Sequence, residues 1–385
     1  MEKRNVPYLA MGGVYEEDDV HVATKVISAA AKIGGNFFPL PEENDFQELF
    51  AKHEGAAKAV AVNSAGTALD LCMMSLGIKE GDEVITTPLT FVCSATTAIA
   101  RGAKVVFADI EEETLNLSPE DVEKKITEKT KAIIPVHFSG LACDVEKFEV
   151  ISQKYGIPII YDAAHAVGTK FKGKPVGGYG KASCYSFQSN KNMTTLGEGG
   201  AVTTNDPDFA EDVRQKKTFG YIYGKELRVA QVGFNYRMTK PQMAVGINQI
   251  NKIDRIISEK RENFIKLNKA LADIPEIKPA PFVDENHGAL MFIARIDSDK
   301  VGFCRDELRK ILREDWGVGT AHHYPAVWTW EALSNLGYTN EGCSVADKAA
   351  KEVISLPVFT STTDEDIEYI VYALKESLSK IKNDK

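Results

Sequence analysis

The strongest constraint on the fold is a series of seven short β-prone runs in the first part of the chain. Runs such as Lys104–Asp109, Lys131–His137 and Pro158–Asp162 contain consecutive apolar residues, so both faces of each strand must be buried. Helical patterns lie between most of the runs, an alternation typical of a parallel sheet covered by helices on both sides. The seven strands are predicted at residues 59–63, 83–87, 104–109, 131–137, 158–162, 183–187 and 200–204.

The alternation stops near Asp206, and the remainder of the chain has a different pattern. One long helix is predicted over Lys240–Leu271, where apolar residues recur every three or four positions. A proline-rich break follows, and then a strand at Ala289–Ile296, a helix at Val301–Arg313 and a last amphipathic helix from Thr363.

These patterns predict an α/β fold with a mainly parallel seven-stranded sheet flanked by helices, followed by a smaller C-terminal α+β domain. A chain of 385 residues is also long for a single core, which favours two domains. We predict a large α/β domain with an N-terminal helical segment at residues 1–250, and a small domain at 251–385.

Composition argues against several classes of protein. The net charge of −9 and the absence of Lys/Arg clusters argue against a nucleic-acid partner. No apolar run approaches the roughly 18 residues of a membrane span, and the first residues lack the apolar core of a signal peptide, so a cytoplasmic protein without a membrane partner is expected. Seven histidines without metal-ligand spacing predict no metal site. Reduced thiols are expected at Cys72, Cys93, Cys143, Cys184, Cys304 and Cys343.

Ligands of such sheets bind at the carboxyl ends of the strands, so the residues that follow each strand are candidates for function. The first strand is followed by Ser64, Ala65 and Gly66, which open a helix. Free N–H groups at a helix N-terminus suit a phosphate, although Ser is also an ordinary helix cap. Phe91 follows the second strand and is either a core residue or a platform for a planar ring.

The fifth and sixth strands end in polar residues. Asp162 closes an apolar run, and a carboxylate at such depth is costly unless it is paired. It is either a helix cap or the partner of a buried cation, such as the protonated ring nitrogen of pyridoxal phosphate. His165 either contacts that ring or satisfies the local backbone, and Ser186 at the end of the sixth strand could bind the same phosphate.

The stretch from Ser183 to Thr204 places one lysine, Lys191, on a polar turn between two β-prone runs. By itself this pattern is more typical of a hairpin with a solvated lysine. A desolvated amine at this position would instead have a lowered pKa and could form a Schiff base. The candidate phosphate cradle, ring platform, carboxylate and amine all suit one cofactor, which favours pyridoxal phosphate anchored at Lys191.

Long blocks of the chain then point to a family: LGIKEGDEVITTPLTFVCSATTAI, PIIYDAAHAVG, YSFQSNKNMTTLGEGGAVTT, VGFNYRMTKPQMAVG and ISLPVFTSTTDEDIEYI. They resemble the DegT/StrS-type sugar aminotransferases, pyridoxal-phosphate enzymes of fold type I in the aspartate aminotransferase superfamily. The lysine block with its GEGG is the most specific of them. The resemblance runs nearly from end to end.

The resemblance implies a role for each matching residue. Lys191 would hold the cofactor and move a proton between cofactor and substrate, with Asp162 on the pyridine nitrogen as the second catalytic residue. The other cofactor contacts would come from Phe91, His165, Ser64, Ala65, Gly66 and Ser186. Asn235 would bind the cofactor phosphate of a neighbouring subunit, which implies a homodimer with shared active sites. Substrate contacts are expected from Gln188, Tyr236, His323 and Tyr324.

The activity implied is a ping-pong transamination that converts a keto sugar, nucleotide-linked in the first instance, to an amino sugar, with glutamate or glutamine as donor. A free or phosphorylated keto sugar or a cyclitol is the alternative acceptor. A dehydratase of the same fold would carry histidine in place of Lys191. A regulatory homologue that binds pyridoxal phosphate without catalysis is disfavoured by the joint presence of Lys191, Asp162 and Ser186.

Overall fold

The computed structural model describes residues 2–8, 13–35, 37, 41–222, 227–302 and 305–383. Cys304 and the part of the predicted helix at residues 303–304 therefore lie outside the described residues. The α-helices are α1 (Glu17–Ala31), α2 (Glu42–His53), α3 (Ala65–Ser75), α4 (Cys93–Ile99), α5 (Pro119–Lys125), α6 (Val145–Tyr155), α7 (Pro207–Lys217), α8 (Lys240–Ile250), α9 (Ile253–Leu271), α10 (Ser298–Val301), α11 (Arg305–Glu314), α12 (Glu331–Ser334), α13 (Ser344–Glu352) and α14 (Asp364–Asn383).

The strands are short. They are β1 (Lys58–Val62), β2 (Glu83–Thr86), β3 (Lys104–Phe107), β4 (Thr130–Ile134), β5 (Ile160–Asp162), β6 (Lys170–Phe171), β7 (Lys174–Pro175), β8 (Ala182–Ser186), β9 (Gly200–Thr204), β10 (Tyr221–Ile222), β11 (Arg228–Val229), β12 (Ile277–Lys278), β13 (Phe292–Ile296) and β14 (Val353–Leu356). Each of the seven strands predicted in the first part of the chain overlaps one of them.

The predicted α/β class is confirmed, but the seven predicted strands are divided between two sheets and do not form a single one. They form a four-stranded sheet in the order β1-β9-β8-β5 and a parallel three-stranded sheet in the order β3-β2-β4. Isolated parallel bridges, Ile133 to Ile159 and Val136 to Asp162, connect the end of β4 to β5. The strand β9 runs antiparallel to both of its neighbours. The carboxyl ends of β1, β2, β5 and β8 nevertheless face one region, where the candidate ligand residues follow them.

The prediction of one helix over Lys240–Leu271 is wrong, because the chain forms α8 and α9 with a turn between them. Lys252 at this turn leaves the helical conformation, with φ −121° and ψ −3°. Its ammonium group contacts Asp18 and Asp19 of α1 at 2.9 and 2.5 Å. Acidic partners on another element, of which Asp19 is buried, therefore hold Lys252 at the point where a pattern that is helical in sequence is interrupted.

Two further predicted elements are shorter in the structure. The strand expected from Ala289 begins only at Phe292, because Ala289 has a φ of +47°, which is incompatible with a strand. The helix expected over Val301–Arg313 is divided: α10 ends at Gly302 with φ +63°, and α11 begins at Arg305.

The C-terminal part has an antiparallel sheet of its own, in the order β12-β13-β14. A separate apolar core lies between this sheet and α9, α11 and α14, and includes Phe264, Leu308 and Ile370. The turn between α8 and α9 and this second core support our proposal of a domain boundary near residue 250. No helix within the described ranges is long and apolar enough to cross a membrane. Cys72, Cys93, Cys143, Cys184 and Cys343 are free thiols.

An aromatic cluster lies beneath the turn that carries Lys191. The ring of Phe50 stacks on Phe46 at 5.8 Å and meets the rings of Tyr185 and Phe187 edge-on at 5.0 and 5.1 Å. Tyr185 and Phe187 belong to β8 and its end, so α2 supports the strand from which the lysine turn leaves.

We expect Phe50→Ala to lower the free energy of unfolding by about 3–5 kcal/mol, because it leaves a cavity among fully buried rings. The midpoint of urea denaturation would measure the loss. As a matched control, Val150→Ala on the exposed face of α6 should change stability by no more than about 0.5 kcal/mol. Equal midpoints for the two variants would contradict this account of the core.

Candidate active site

A cavity of about 500 Å³ lies where the strand ends meet. All of the predicted site residues line it except Asn235 and Tyr236. Those that line it are Ser64, Ala65, Gly66, Phe91, Asp162, His165, Ser186, Gln188, Lys191, His323 and Tyr324. The last two come from the C-terminal part of the chain, so both parts of the protein build the site.

One end of the cavity is suited to an anion. Ser64 is the N-cap of α3, and its Oγ accepts from the N–H of Thr67 at 3.1 Å. Ala65 and Gly66 are the first two residues of the helix, so their N–H groups have no acceptor within it. The Ser186 hydroxyl at the end of β8 lines the same cavity. Two amides, the helix dipole and this hydroxyl form a set of donors for a phosphate.

Asp162 ends β5 and is almost fully buried, at 2% exposure. Its Oδ2 accepts from the Ser94 hydroxyl at 2.6 Å, and its Oδ1 accepts from the N–H of Ala164 at 3.0 Å. Burial raises the pKa of Asp162, while these two hydrogen bonds and the nearby charge of Lys191 oppose that rise. A buried carboxylate held in this way needs a cationic partner in the cavity.

Lys191 faces the same cavity from the turn between β8 and β9. Burial lowers the pKa of its amine to about 8, and Asp162 and Cys93 oppose this shift. The side chain is partly buried and lines the cavity, unlike the solvated lysine of an ordinary hairpin. A lowered pKa gives the amine a larger neutral fraction near pH 7, which a nucleophilic or proton-transferring lysine requires.

The glycine-rich segment after Lys191 allows the turn to close. The N–H of Phe187 donates to the carbonyl of Gly199 at 2.8 Å, and that of Thr195 donates to the carbonyl of Phe187 at 3.1 Å. Gly199 has a φ of +159°, and a Cβ there would lie 2.1 Å from the Thr195 Oγ1. A residue with a Cβ at this position would displace the Thr195 side chain, whose hydroxyl donates to the carbonyl of Glu198 within the turn.

The hydrogen bonds of His165 determine whether the Tyr324 hydroxyl donates to its ring or accepts from it. The backbone N–H of Ser139 points at Nδ1 of His165 at 3.4 Å, so this nitrogen is an acceptor. Burial lowers the pKa of His165 well below its usual range, as does the charge of Lys191, and the ring is neutral with its proton on Nε2. Nε2 then donates to the Tyr324 oxygen at 3.2 Å. In this arrangement the hydroxyl hydrogen of Tyr324 is not used in the bond to His165, and Tyr324 lines the cavity.

His323 lies beside Tyr324, and its Nδ1 is 2.8 Å from the Ser355 Oγ. Burial lowers the pKa of His323 to about 4, with a further contribution from Lys191. The imidazole is therefore neutral at physiological pH and offers a polar but uncharged wall to a substrate.

The structure does not bring Asn235 or Tyr236 into this cavity. The Tyr236 hydroxyl donates to Asp70 at 3.1 Å, and Asp70 is also held by Arg101. Asn235 is exposed, and its Oδ1 accepts from Arg237 at 2.9 Å. Their expected roles stay predictions.

Several residues that sequence reasoning did not single out belong to the site. Ser94 binds Asp162, and Thr90, Cys93, Asn190 and Glu198 line the cavity. Ser94 lies three residues after Phe91. Residues at this spacing share one face of a helix, so the sequence could have indicated that Ser94 faces the same cavity as Phe91.

Residues 23–375 match the family model described as the DegT/DnrJ/EryC1/StrS aminotransferase family. The chain belongs to this family. It is 35% identical over 349 residues to the spore coat polysaccharide biosynthesis protein SpsC of Bacillus subtilis (strain 168), which covers 87% of this chain and 89% of SpsC. Membership makes the chain an aminotransferase that uses pyridoxal phosphate, and confirms the family and the cofactor expected from the sequence.

Solved structures agree with the assignment. An aminotransferase from Psychrobacter cryohalolentis superposes with a TM-score of 0.88 at 26% identity, over 96% of this chain and 99% of that chain. The S. venezuelae protein DesV superposes with a TM-score of 0.86 at 28% identity, over 97% and 98% of the two chains.

The residues of the cavity fit the cofactor by their own chemistry. The donors at the start of α3 match a phosphate, the buried carboxylate of Asp162 matches a protonated ring nitrogen, and the amine of Lys191 matches an aldehyde. The exposed face of Phe91 offers a surface for a planar ring.

We expect Ser94→Ala to weaken the binding of pyridoxal phosphate by about 10- to 100-fold, because a hydrogen bond to a charged group contributes about 1.5–3 kcal/mol. Without this donor the pKa of Asp162 rises further, and the carboxylate is a poorer partner for the ring nitrogen. Fluorescence titration of the apoprotein with the cofactor would measure the change. Thr97→Ala is the control, since Thr97 lies on the same helix and donates to the carbonyl of Cys93. Equal affinities of the two variants would contradict the role of Ser94.

Proposed function

We propose that this aminotransferase converts the keto group of a nucleotide-linked sugar to an amine. The observation that carries the chemistry is the desolvated Lys191 amine in one cavity with the buried Asp162 carboxylate. The sugar is supported by relatives: SpsC is named for polysaccharide biosynthesis, and the structure of DesI, 27% identical, was obtained with its TDP-sugar product.

The proposed roles of the binding residues follow from their positions. Ser64, Ala65, Gly66 and Ser186 would hold the phosphate of the cofactor. Asp162 would keep the pyridine nitrogen protonated, Phe91 would stack on the ring, and His165 would contact its edge. When bound, the cofactor supplies an aldehyde and an electron sink for the charge that develops on the substrate carbon.

Lys191 would act twice. Its neutral amine, available because the pKa is lowered to about 8, would attach the cofactor. After a substrate amine displaces it, the same amine would take a proton from the substrate carbon and return one to the cofactor carbon. The balanced reaction is an amino acid plus a keto sugar giving a 2-oxo acid plus an amino sugar. We propose glutamate or glutamine as the donor, in a ping-pong cycle.

The substrate side would be formed by Gln188, His323 and Tyr324. The hydroxyl hydrogen of Tyr324, which the bond from His165 leaves unused, would make it a donor to a sugar oxygen, and the neutral His323 would add a polar contact. Both side chains come from the C-terminal part, so the substrate would bind between the two parts of the chain.

We propose a homodimer in which Asn235 reaches the cofactor phosphate of the neighbouring subunit. Asn235 is exposed and lies among exposed apolar side chains, Phe219, Val229, Val232 and Phe234. Exposed apolar clusters of this kind are typical of protein interfaces. Tyr236 would fix this segment through its hydrogen bond to Asp70. We also propose a cytoplasmic location, where nucleotide-linked sugars are made.

We expect Lys191→Ala to lose the visible absorbance of protein-bound pyridoxal phosphate and at least about 10³-fold in turnover, since it removes the nucleophile and the proton carrier. Absorbance spectra and an amino-transfer assay with a keto-sugar nucleotide would measure both. Lys58→Ala, an exposed lysine at the start of β1, is the control and should behave as the wild type.

The acceptor class is tested on the same wild-type protein. Glutamate should convert the bound cofactor to its amine form, and a keto-sugar nucleotide should restore the original spectrum. Restoration by a cyclitol or a free keto sugar instead would replace the proposed acceptor, and no change with glutamate or glutamine would overturn the proposed donor.

Sedimentation velocity should give twice the chain mass for the wild type. Val232→Asp should shift the protein towards a single chain and weaken cofactor binding, because a charge is placed in the apolar interface and Asn235 is lost from the neighbouring site. Ile265→Asp, on the exposed face of α9, should do neither. A wild-type protein that sediments as a single chain at micromolar concentration would refute the homodimer.

A further inference from the structure

A second buried lysine, Lys260, lies behind the turn that carries Lys191. It belongs to α9 and is 2% exposed. Its Nζ donates to the side-chain oxygen of Asn192 at 3.0 Å and to the carbonyl of Leu290 at 2.7 Å. Asn192 follows Lys191 directly in the chain, and its Nδ2 donates to the carbonyl of Gly288 at 2.6 Å.

The segment that accepts these bonds is itself held in place from its other side. The N–H of Gly288 donates to the carbonyl of Gly140 at 2.7 Å, and that of Leu290 donates to the carbonyl of Ser139 at 3.1 Å. Ser139 in turn donates to His165 of the cavity. Residues 288–290 therefore connect the lysine turn to the opposite wall of the site.

We propose that Lys260 is a positioning residue for the reaction, which holds Asn192 and thereby fixes the turn from which Lys191 acts. This inference rests on the proposed role of Lys191 as the cofactor anchor. An apolar side chain could fill the same volume without the cost of burying an ammonium group. It could not bind two acceptors from separate segments at once, as an ammonium group with several N–H donors does.

The charge of Lys260 also bears on the proton at Lys191. Burial lowers the pKa of Lys260 to about 7, and the positive charge of Lys191 contributes to that shift. Because repulsion is mutual, a charged Lys260 disfavours protonation at Lys191, whereas Asp162 favours it. The titratable groups that interact with Lys191 are Asp162, Cys93, His165, Lys260 and His323.

The test uses the pH dependence of the visible absorbance of protein-bound pyridoxal phosphate, together with its circular dichroism. Lys260→Met keeps most of the length of the unbranched side chain but removes the donors and the charge. We expect the pH midpoint of this absorbance to rise, because the positive charge that Lys260 carries below its pKa of about 7 is lost. The dichroic band should weaken, because the turn no longer holds the cofactor in one orientation. Lys260→Arg keeps donors and charge, so its midpoint should stay at or below that of the wild type.

Asn192→Leu removes the same contact from the other side and should weaken the dichroic band in the same way, so it decides the question if Lys260→Met does not fold. The double variant should weaken the band no more than the stronger single variant does, because both substitutions break one connection. Lys217→Met is the matched control: Lys217 is also 2% exposed, but it binds Glu43 and the carbonyl of Ala61.

Wild-type spectra for Lys260→Met, or equal changes in Lys217→Met, would overturn the inference. A wild-type protein without any visible cofactor band would overturn the proposed function of Lys191 instead, so the two failures are distinguishable.

Discussion

The site depends on one electrostatic arrangement: a carboxylate and an amine that are both withdrawn from water and face the same cavity. Burial raises the pKa of Asp162 and lowers that of Lys191, so the charged form of each group is less favoured than it is in water. Each also favours the charged form of the other. A cofactor with a cationic ring nitrogen and an aldehyde matches both groups. The neutral His165 and His323 follow from the same burial and the same nearby lysine.

Burying a carboxylate and an amine costs free energy of folding, and hydrogen bonds from the surrounding structure offset part of that cost. Ser94 and the backbone of Ala164 hold the carboxylate. The lysine turn is closed by Gly199, supported below by the ring cluster of Phe50, and connected behind to Asn192 and Lys260. These contacts fix the backbone of the turn, and the backbone in turn fixes the point from which the Lys191 side chain extends into the cavity.

Apolar periodicity predicts the strands of the first part of the chain correctly, but it misplaces several helix and strand boundaries in the second part, and the structure shows why. Continuous apolar runs must be buried on both faces, which is why the strands up to residue 204 are found where they are expected. The helical pattern at 240–271 is genuine, but contacts of Lys252 with α1 divide it. The apolar run from Ala289 begins late as a strand because Ala289 takes a positive φ in the segment that braces the site. Ser94 and Lys260 could not be singled out, because a serine on a helix and a lysine on an amphipathic helix are ordinary in sequence.

The amino-acid sequence by itself determined the α/β class and the candidate cofactor residues, because strand periodicity and the residues at strand ends are local properties of the chain. It indicated the family through the resemblance of long sequence blocks to known members. Only the tertiary structure decided which of those residues share one cavity. It placed His323 and Tyr324 of the C-terminal part against His165, and it placed Asn235 and Tyr236 outside the cavity. It also decided the protonation chemistry, because the burial that lowers the pKa of Lys191 is produced by segments distant from it in sequence.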